Sequence, residues 1–283
     1  MTTIAASSAP GPTRQRRARG RRALGAGSAL GLGITMTWFS LLVLIPLVAV
    51  LISAAGLGPS GFWEVVTQPQ TLAALRLTVL ESAGVTLLNV VMGTALAWVL
   101  VRDRFWGKRI VDIVIDVPFA LPTIVAGLVL LSLYGPQSPL GVDVANTRIA
   151  VFLALAFVTL PFVVRTVQPV LETLERDVEE AAASLGASRL TTFRRVILPS
   201  LVPAIAAGAA LSFARGISEY GSLVLLSGNL PSRTEVASVR ILTFIENGNK
   251  EAASAVAAIL LLVALAVIVL LDVLQRRLAR RGD

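Results

Sequence analysis

From Ala23 to Phe62 the chain carries no charged residue, and no other feature constrains its fold as tightly. A helix needs about 20 apolar residues to cross a bilayer core of about 30 Å, so this run can supply a whole span and its flank. A cleaved secretory leader is the competing reading, because basic residues precede the run. The apolar core of a leader is only about 7–15 residues, so an uncleaved first span near Gly31–Ala54 is expected. Further charge-poor runs follow at about Leu77–Val101, Ile113–Tyr134, Ile149–Val170, from about Ser200 onward, and at Ala252–Leu271. Backbone polar groups in lipid must be satisfied within the spanning segment, which leaves helices or closed barrels, and the runs have helical length. The expected fold class is all-α: a polytopic helical membrane protein of about six transmembrane helices.

The positive charges orient these spans. Residues 1–28 form a polar, disordered-looking arm with Arg14, Arg16, Arg17, Arg19, Arg21 and Arg22. The short loop Arg102-Asp103-Arg104-Phe105-Trp106-Gly107-Lys108-Arg109 is equally basic, and Arg276, Arg277, Arg280 and Arg281 fill the tail. Basic loops remain on the cytoplasmic side, which places both termini in the cytoplasm. The expected organisation is the arm (1–28), a transmembrane domain (29–275) and a cytoplasmic tail (276–283). Gly56–Arg76, with Phe62-Trp63 as an aromatic anchor, Gly135–Arg148 and the polar loop Asn229–Glu251 then fall outside. The basic excess borders apolar spans, which fits contact with membrane lipid and gives no reason to expect nucleic acid.

The residue inventory narrows the chemistry. The chain has no Cys and no His, which removes thiolate nucleophiles, imidazole acid–base chemistry and the usual zinc sites. Its two lysines, Lys108 and Lys250, lie in no G-x-x-x-x-G-K-[ST] phosphate loop. Asp112 and Asp116 stand one helical turn apart. A catalytic carboxylate dyad would use such a pair, but no second motif accompanies it, and interfacial charge is the preferred reading. Pro118 and Pro122 are expected to bend the third span, and Pro161 the fourth, because proline removes an amide donor and crowds the preceding turn.

Arg215 and Glu219 are the charges that fall deepest in an apolar segment. Counting about 1.5 Å per residue from Ser200 puts Arg215 past the midplane and Glu219 near the outer edge. Charges at such depth pair, face the bundle interior or line a pathway. A structural ion pair and a role at a substrate path or outer gate are both open, with Ser218, Tyr220 and Ser222 as neighbours. The path is slightly favoured, since Glu preceding Arg is the better order for a purely stabilising helix pair. Ala204, Gly208 and Ser212 recur every fourth residue of the same span, a stripe that lets helices approach closely.

Between the fourth and fifth spans lies a polar stretch at about 172–199. Leu174, Val178, Ala181, Ala182 and Leu185 share one helical face, and Glu172, Glu175, Asp177, Glu179 and Glu180 crowd its start. Gly186 supplies a stop, Ser188 can cap a second short helix edged by Leu190, Phe193 and Ile197, and Pro199 and Pro203 open the next span. The expectation is two short helices joined by a glycine elbow at the membrane surface.

Glu180-Ala181-Ala182, Gly186, and Val196-x-Leu198-Pro199 resemble the EAA loop of ABC-importer permeases, with Val196 where Ile is usual. Asp116–Thr123, Val125–Leu128, Phe213-Ala214-Arg215, Glu219–Ser222 and Ser227–Pro231 resemble the T-type subunit of sulfate/thiosulfate permeases. Molybdate permeases share part of these stretches, and Ser218 stands where Gly is usual. The resemblance covers roughly Leu30 to Arg277. It implies a permease subunit of an ATP-driven importer in the bacterial cytoplasmic (inner) membrane, with no catalytic site and no cofactor of its own. ATP and Mg would be bound by a partner ATPase dimer docked on the EAA loop. A homologous second permease, as a heterodimer, and an extracytoplasmic sulfate-binding protein would complete the assembly. A molybdate or tungstate permease and, more remotely, a secondary transporter are the alternatives.

Overall fold

The computed structural model describes residues 26–174 and 176–279. The arm through Gly25, Glu175, and the tail from Arg280 lie outside the described residues, as do the side chains of Ala26, Ala29, Arg176, Val178, Leu278 and Ala279. The chain divides into a unit ending at Leu47 and a second unit from Val48 onward. The first holds α1 (Ala26–Phe39) and a π turn (Ser40–Leu44), with Leu30, Ile34, Trp38 and Leu42 all exposed. Side chains such as these are suited to lipid, where apolar exposure carries no hydrophobic cost. The helix continues as α2 (Ile45–Ala55), so that Leu30–Ala55 is one apolar segment of spanning length.

The second unit is built on four long helical segments. These are α4 (Pro69–Arg102), α7 (Arg148–Thr173), the continuous segment Arg189–Ile217, and α13 (Lys250–Ala279). Pro69 starts α4 where first-turn amides lack partners, and the Thr147 hydroxyl caps α7 by accepting from the Ala150 amide. Within this bundle no water-driven collapse operates, so contact depends on close packing. Gly93 of α4 faces Val163 of α7, where an added Cβ would lie 2.9 Å from the valine Cβ. Gly208 sits against Thr166 and the Val163 backbone, with Val163 Cα 2.9 Å from such a Cβ. The small-residue stripe expected on the fifth span thus permits that contact. One helical turn from these contacts on each helix, Asn89 donates to Thr159 Oγ1 at 2.8 Å and to Ser212 Oγ at 3.4 Å, a buried polar node joining three helices.

Several expectations are corrected. The second span begins at Pro69 rather than Leu77, since an exposed Arg76 sits comfortably on the helix surface. The third span does not merely bend. It divides into α5 (Lys108–Ala120) and α6 (Thr123–Tyr134), with a turn of 118° between them. Pro122 drives Leu121 into the extended region (φ −89°, ψ 136°), as prolines do to the residue before them, and itself continues extended (ψ 136°). Pro118 is accommodated inside α5. Five helices are long and apolar enough to span, or six if the broken pair is one span.

The expected polar outer loop is also not one. It folds back through α12 (Ala237–Glu246), which buries Ala237, Val239 and Phe244, and the Ala237 amide donates to Thr78 Oγ1 of α4 at 2.8 Å. The polar average of that segment concealed an apolar helical face. Finally, α3 (Gly58–Thr67) fills part of the segment expected to be an outer connection, burying Val65 and Val66. Among the described residues there are helices and turns but no strand.

Candidate functional site: a coupling elbow and a buried charge pair

The stretch after α7 folds as α8 (Arg176–Ser184) and α9 (Arg189–Thr192) about Gly186. Gly186 has φ +80°, a conformation that costs other residues about 1–2 kcal/mol. Its amide donates to the Ala183 carbonyl at 2.9 Å, and the Ala187 amide to the Ala182 carbonyl at 3.0 Å. These are the two bonds of a Schellman stop, which satisfy carbonyls that a helix end leaves free. Ser188 Oγ then accepts from the Thr191 amide at 3.2 Å and caps α9. The second short helix is not separate, however. A π turn (Phe193–Ile197) joins it to α10 (Leu198–Ile217), giving one 29-residue segment, with Leu198 and Pro199 in the first turn of α10.

One side of this elbow is anchored. Arg102, at the end of α4, pairs with Glu179 Oε1 at 2.6 Å and donates to the Leu174 carbonyl at 3.3 Å. Trp98 meets Phe193 edge-on, with centroids 5.6 Å apart. A groove of about 460 Å³ lies between these residues and Glu180, Ala183 and Ala187. Leu174, expected on the α8 face, instead ends α7. The other side of the elbow faces outward, uncovered by the described residues: Glu180 and Ala181 are exposed, Leu185 is 88% exposed and Leu190 65%. Ala182 and Val196 are half-buried and Pro199 is exposed.

The second predicted site lies where α10 ends. Arg215 is in its last turn, while Glu219 falls beyond the helix, between the C-cap Ser218 and α11 (Gly221–Leu226). The two were expected inside one span, but the helix ends between them, at Ile217. They nonetheless meet, with Arg215 Nη2 2.7 Å from Glu219 Oε2. Glu219 is 1% exposed. Its Oε1 accepts from both the amide and the hydroxyl of Ser222 at 2.8 Å, and its carbonyl accepts from Ser238 Oγ at 2.7 Å. Arg215, Glu219 and Ser222 are therefore brought together. Ser218 is exposed, its hydroxyl donating to the Arg215 carbonyl at 3.0 Å, and Tyr220 is partly exposed. This junction abuts the break in the third span, because an added Cβ on Gly221 would strike Thr123, and one on Gly127 would lie 2.7 Å from the Ser222 carbonyl.

A third cluster was not assembled from the sequence. Arg165 of α7 grips both Asp112 and Asp116 of α5, with Nε and Nη2 on the two Asp116 oxygens at 2.7 Å and Nη1 on Asp112 Oδ1 at 2.7 Å. Asp112 and Asp116 are thus held by a cation rather than sharing a proton as a catalytic dyad does. The i,i+4 carboxylates and a lone arginine on the next span were the signal, but only the structure puts them at one level. Among the described residues no group of three His, Cys, Asp or Glu is placed to hold a metal ion.

Comparison with known proteins agrees with this geometry. The profile of the binding-protein-dependent transport system inner membrane component family matches residues 89–282. The "Sulfate transport system permease protein CysT" of Synechocystis is 44% identical over 243 residues, which cover 83% of this chain and 85% of that protein. Its Escherichia coli counterpart is 42% identical, covering 85% of this chain and 90% of that one. Among solved structures, a chain of a bacterial alginate ABC transporter in complex with an alginate-bound periplasmic protein superposes with a TM-score of 0.73. It is 18% identical and covers 89% of this chain and 94% of that chain, a likeness of fold alone. A multi-pass helical permease with an elbow at 176–192, matched over most of its length by this profile, belongs to the binding-protein-dependent transport system inner membrane component family.

Proposed function

We propose that this chain is one membrane permease of an ATP-driven importer that carries sulfate or thiosulfate inward, in a bacterial cytoplasmic membrane. The observation that carries the docking half of this reading is the elbow. It is fixed to the bundle by Arg102–Glu179, yet it turns Ala181, Leu185 and Leu190 outward at a stop that requires glycine. An exposed apolar and acidic surface on a rigid elbow suits a cleft on a cytoplasmic ATPase. A pair of ATPases would bind ATP and Mg, and the permease itself would do no covalent chemistry. A homologous permease would form the other half as a heterodimer, and an extracytoplasmic binding protein would deliver the anion. The basic loop at Arg102–Arg109 and the basic tail would lie in the cytoplasm, with both termini inside.

Closure of the ATPases would move the elbow and rock the spans between outward and inward openings. The sulfate assignment rests on the names of relatives at 42–44% identity. The test is uptake of labelled sulfate by the assembled complex in proteoliposomes with internal ATP. Sulfate uptake that needs ATP and the binding protein is expected. Uptake of molybdate with exclusion of sulfate would overturn the substrate, and uptake without any ATPase would overturn the class.

A further inference from the structure

Arg165 uses its whole side chain on the broken span. A guanidinium has five N–H donors, and all five are engaged here. Nε and Nη2 hold the two Asp116 oxygens, and Nη2 also donates to the Asp112 carbonyl at 2.7 Å. Nη1 holds Asp112 Oδ1 at 2.7 Å and Gln168 Oε1 at 2.6 Å. A guanidinium saturated in this way has no donor left for a passing anion, so its work is holding. What it holds is α5, whose other attachments to the bundle are a few apolar contacts. Among the described residues Ile115 is the buried residue of α5, while Ile110, Ile113 and Val114 are exposed. Beside Ile115, Val111 packs against the cluster that holds Leu100, Val167 and Leu171, and Phe119 meets Phe162 edge-on with centroids 5.0 Å apart.

The same network runs toward the elbow. Gln168 Nε2 donates to Glu172 Oε1 at 3.2 Å, one turn further along α7. Two residues beyond Glu172, the Leu174 carbonyl is held by Arg102, which also pairs with Glu179 of α8.

We propose that Arg165 is a positioning residue that makes α5 move with α7 as one body, so that displacement of the elbow reaches the break at Leu121-Pro122. This rests on the docking role proposed above for the elbow. Lysine retains the charge but has three donors on a flexible stem and cannot reproduce the fork. The two carboxylates are about half exposed, so water can solvate them when the arginine is gone, and Arg165→Met is expected to assemble.

The chain has no cysteine, so spin labels can be placed at Ile113→Cys and Thr173→Cys within the complete complex, without transported anion. In the otherwise native chain the distance between labels should be single and narrow, and the same in nucleotide-free and ATP-trapped states. In Arg165→Met it should broaden, and in Arg165→Lys it should broaden less. In parallel, anion uptake per ATP hydrolysed should fall about tenfold in Arg165→Met, within the usual range of coupling factors, while ATP hydrolysis persists. A label distance that shifts with nucleotide in the native background would overturn the proposal. So would an Arg165→Met complex with a narrow distance and native coupling, or one losing hydrolysis and uptake in proportion. If Arg165→Met does not assemble, Asp116→Asn, which removes one arm of the fork, is judged by the same criteria. The distance is read without substrate, so it decides the tether whichever anion is carried. Failure of the native complex to bind an ATPase would instead sink the docking reading.

Discussion

Removing Arg215 should damage this protein more than removing Arg215 and the charge of Glu219 together. In Arg215→Met the Glu219 carboxylate stays in a site where it is 1% exposed. Oε1 keeps its two Ser222 donors, but Oε2 has no hydrogen bond beyond the lost contact with Arg215. Breaking one side of a buried ion pair in this way costs about 3–5 kcal/mol, a large share of a typical 5–15 kcal/mol of total stability. Glu219→Gln alone is milder. The amide oxygen can still accept from Ser222, and Arg215, whose side chain is 28% exposed, keeps access to solvent. The loss there is that of a hydrogen bond to a charged group, about 1.5–3 kcal/mol. In Arg215→Met with Glu219→Gln no buried charge is stranded, so the double variant should lie close to Glu219→Gln and above Arg215→Met.

Thermal denaturation of the purified complex in detergent gives the order of the four proteins, and the double-mutant cycle should show a coupling close to the whole cost of Arg215→Met, about 3–5 kcal/mol. Additive single effects, or an Arg215→Met protein as stable as the original, would refute the reasoning. Uptake then separates the two roles. If stability returns in the double variant and sulfate uptake does not, Arg215 acts along the path as well as in the pair.

Gly186→Val should insert normally, because nothing lies within 4 Å of an added Cβ, yet φ +80° should cost about 1–2 kcal/mol at the elbow. Weaker co-purification of the ATPase is expected, and native uptake would show that the elbow is dispensable. Gly208→Leu should lower thermal stability by at least about 1–3 kcal/mol, the usual cost of overpacking, because the Val163 backbone leaves no room; an unchanged melting temperature would contradict the packing described. Single cysteines at Ser138 and Asn247 should react with an impermeant thiol reagent in intact cells and one at Ser188 should not, and external labelling of Ser188→Cys would overturn the orientation.

The long apolar runs made the helices legible, because length and hydropathy suffice to find a span. Gly186 and Ser188 were legible for a different reason: each satisfies backbone groups within four residues of itself, so its role needs no knowledge of the rest of the fold. Ends set by tertiary contact were not legible. The sequence places Arg215 and Glu219 on one continuous turn, but the helix stops at Ile217, and Glu219 is held by Ser222 and by Ser238 of another helix. The two prolines at 118 and 122 announced a disturbance without its size, because a kink and a break use the same residues. The Arg165 cluster escaped because its members are 49 and 53 residues apart and their meeting depends on how α5 leaves the bundle.

The π turn at Phe193–Ile197 leaves the segment from Arg189 to Ile217 unbroken. At about 1.5 Å per residue, 29 residues make a lever about 43 Å long. A push on the end beside Ser188 has one continuous helical segment along which to reach Arg215, with the π turn and Pro203 as its points of give. A tilt of about 5° about one end sweeps the other through about 4 Å, by the same rise per residue. That arc exceeds the reach of the 2.7 Å contact between Arg215 and Glu219, and Glu219, beyond the tip of the lever, is fastened to its neighbours. The pair lies where the long arm ends, with Glu219 fastened beyond it to Ser222 and Ser238, so on the docking role proposed for the elbow a small stroke there would be enough to part it.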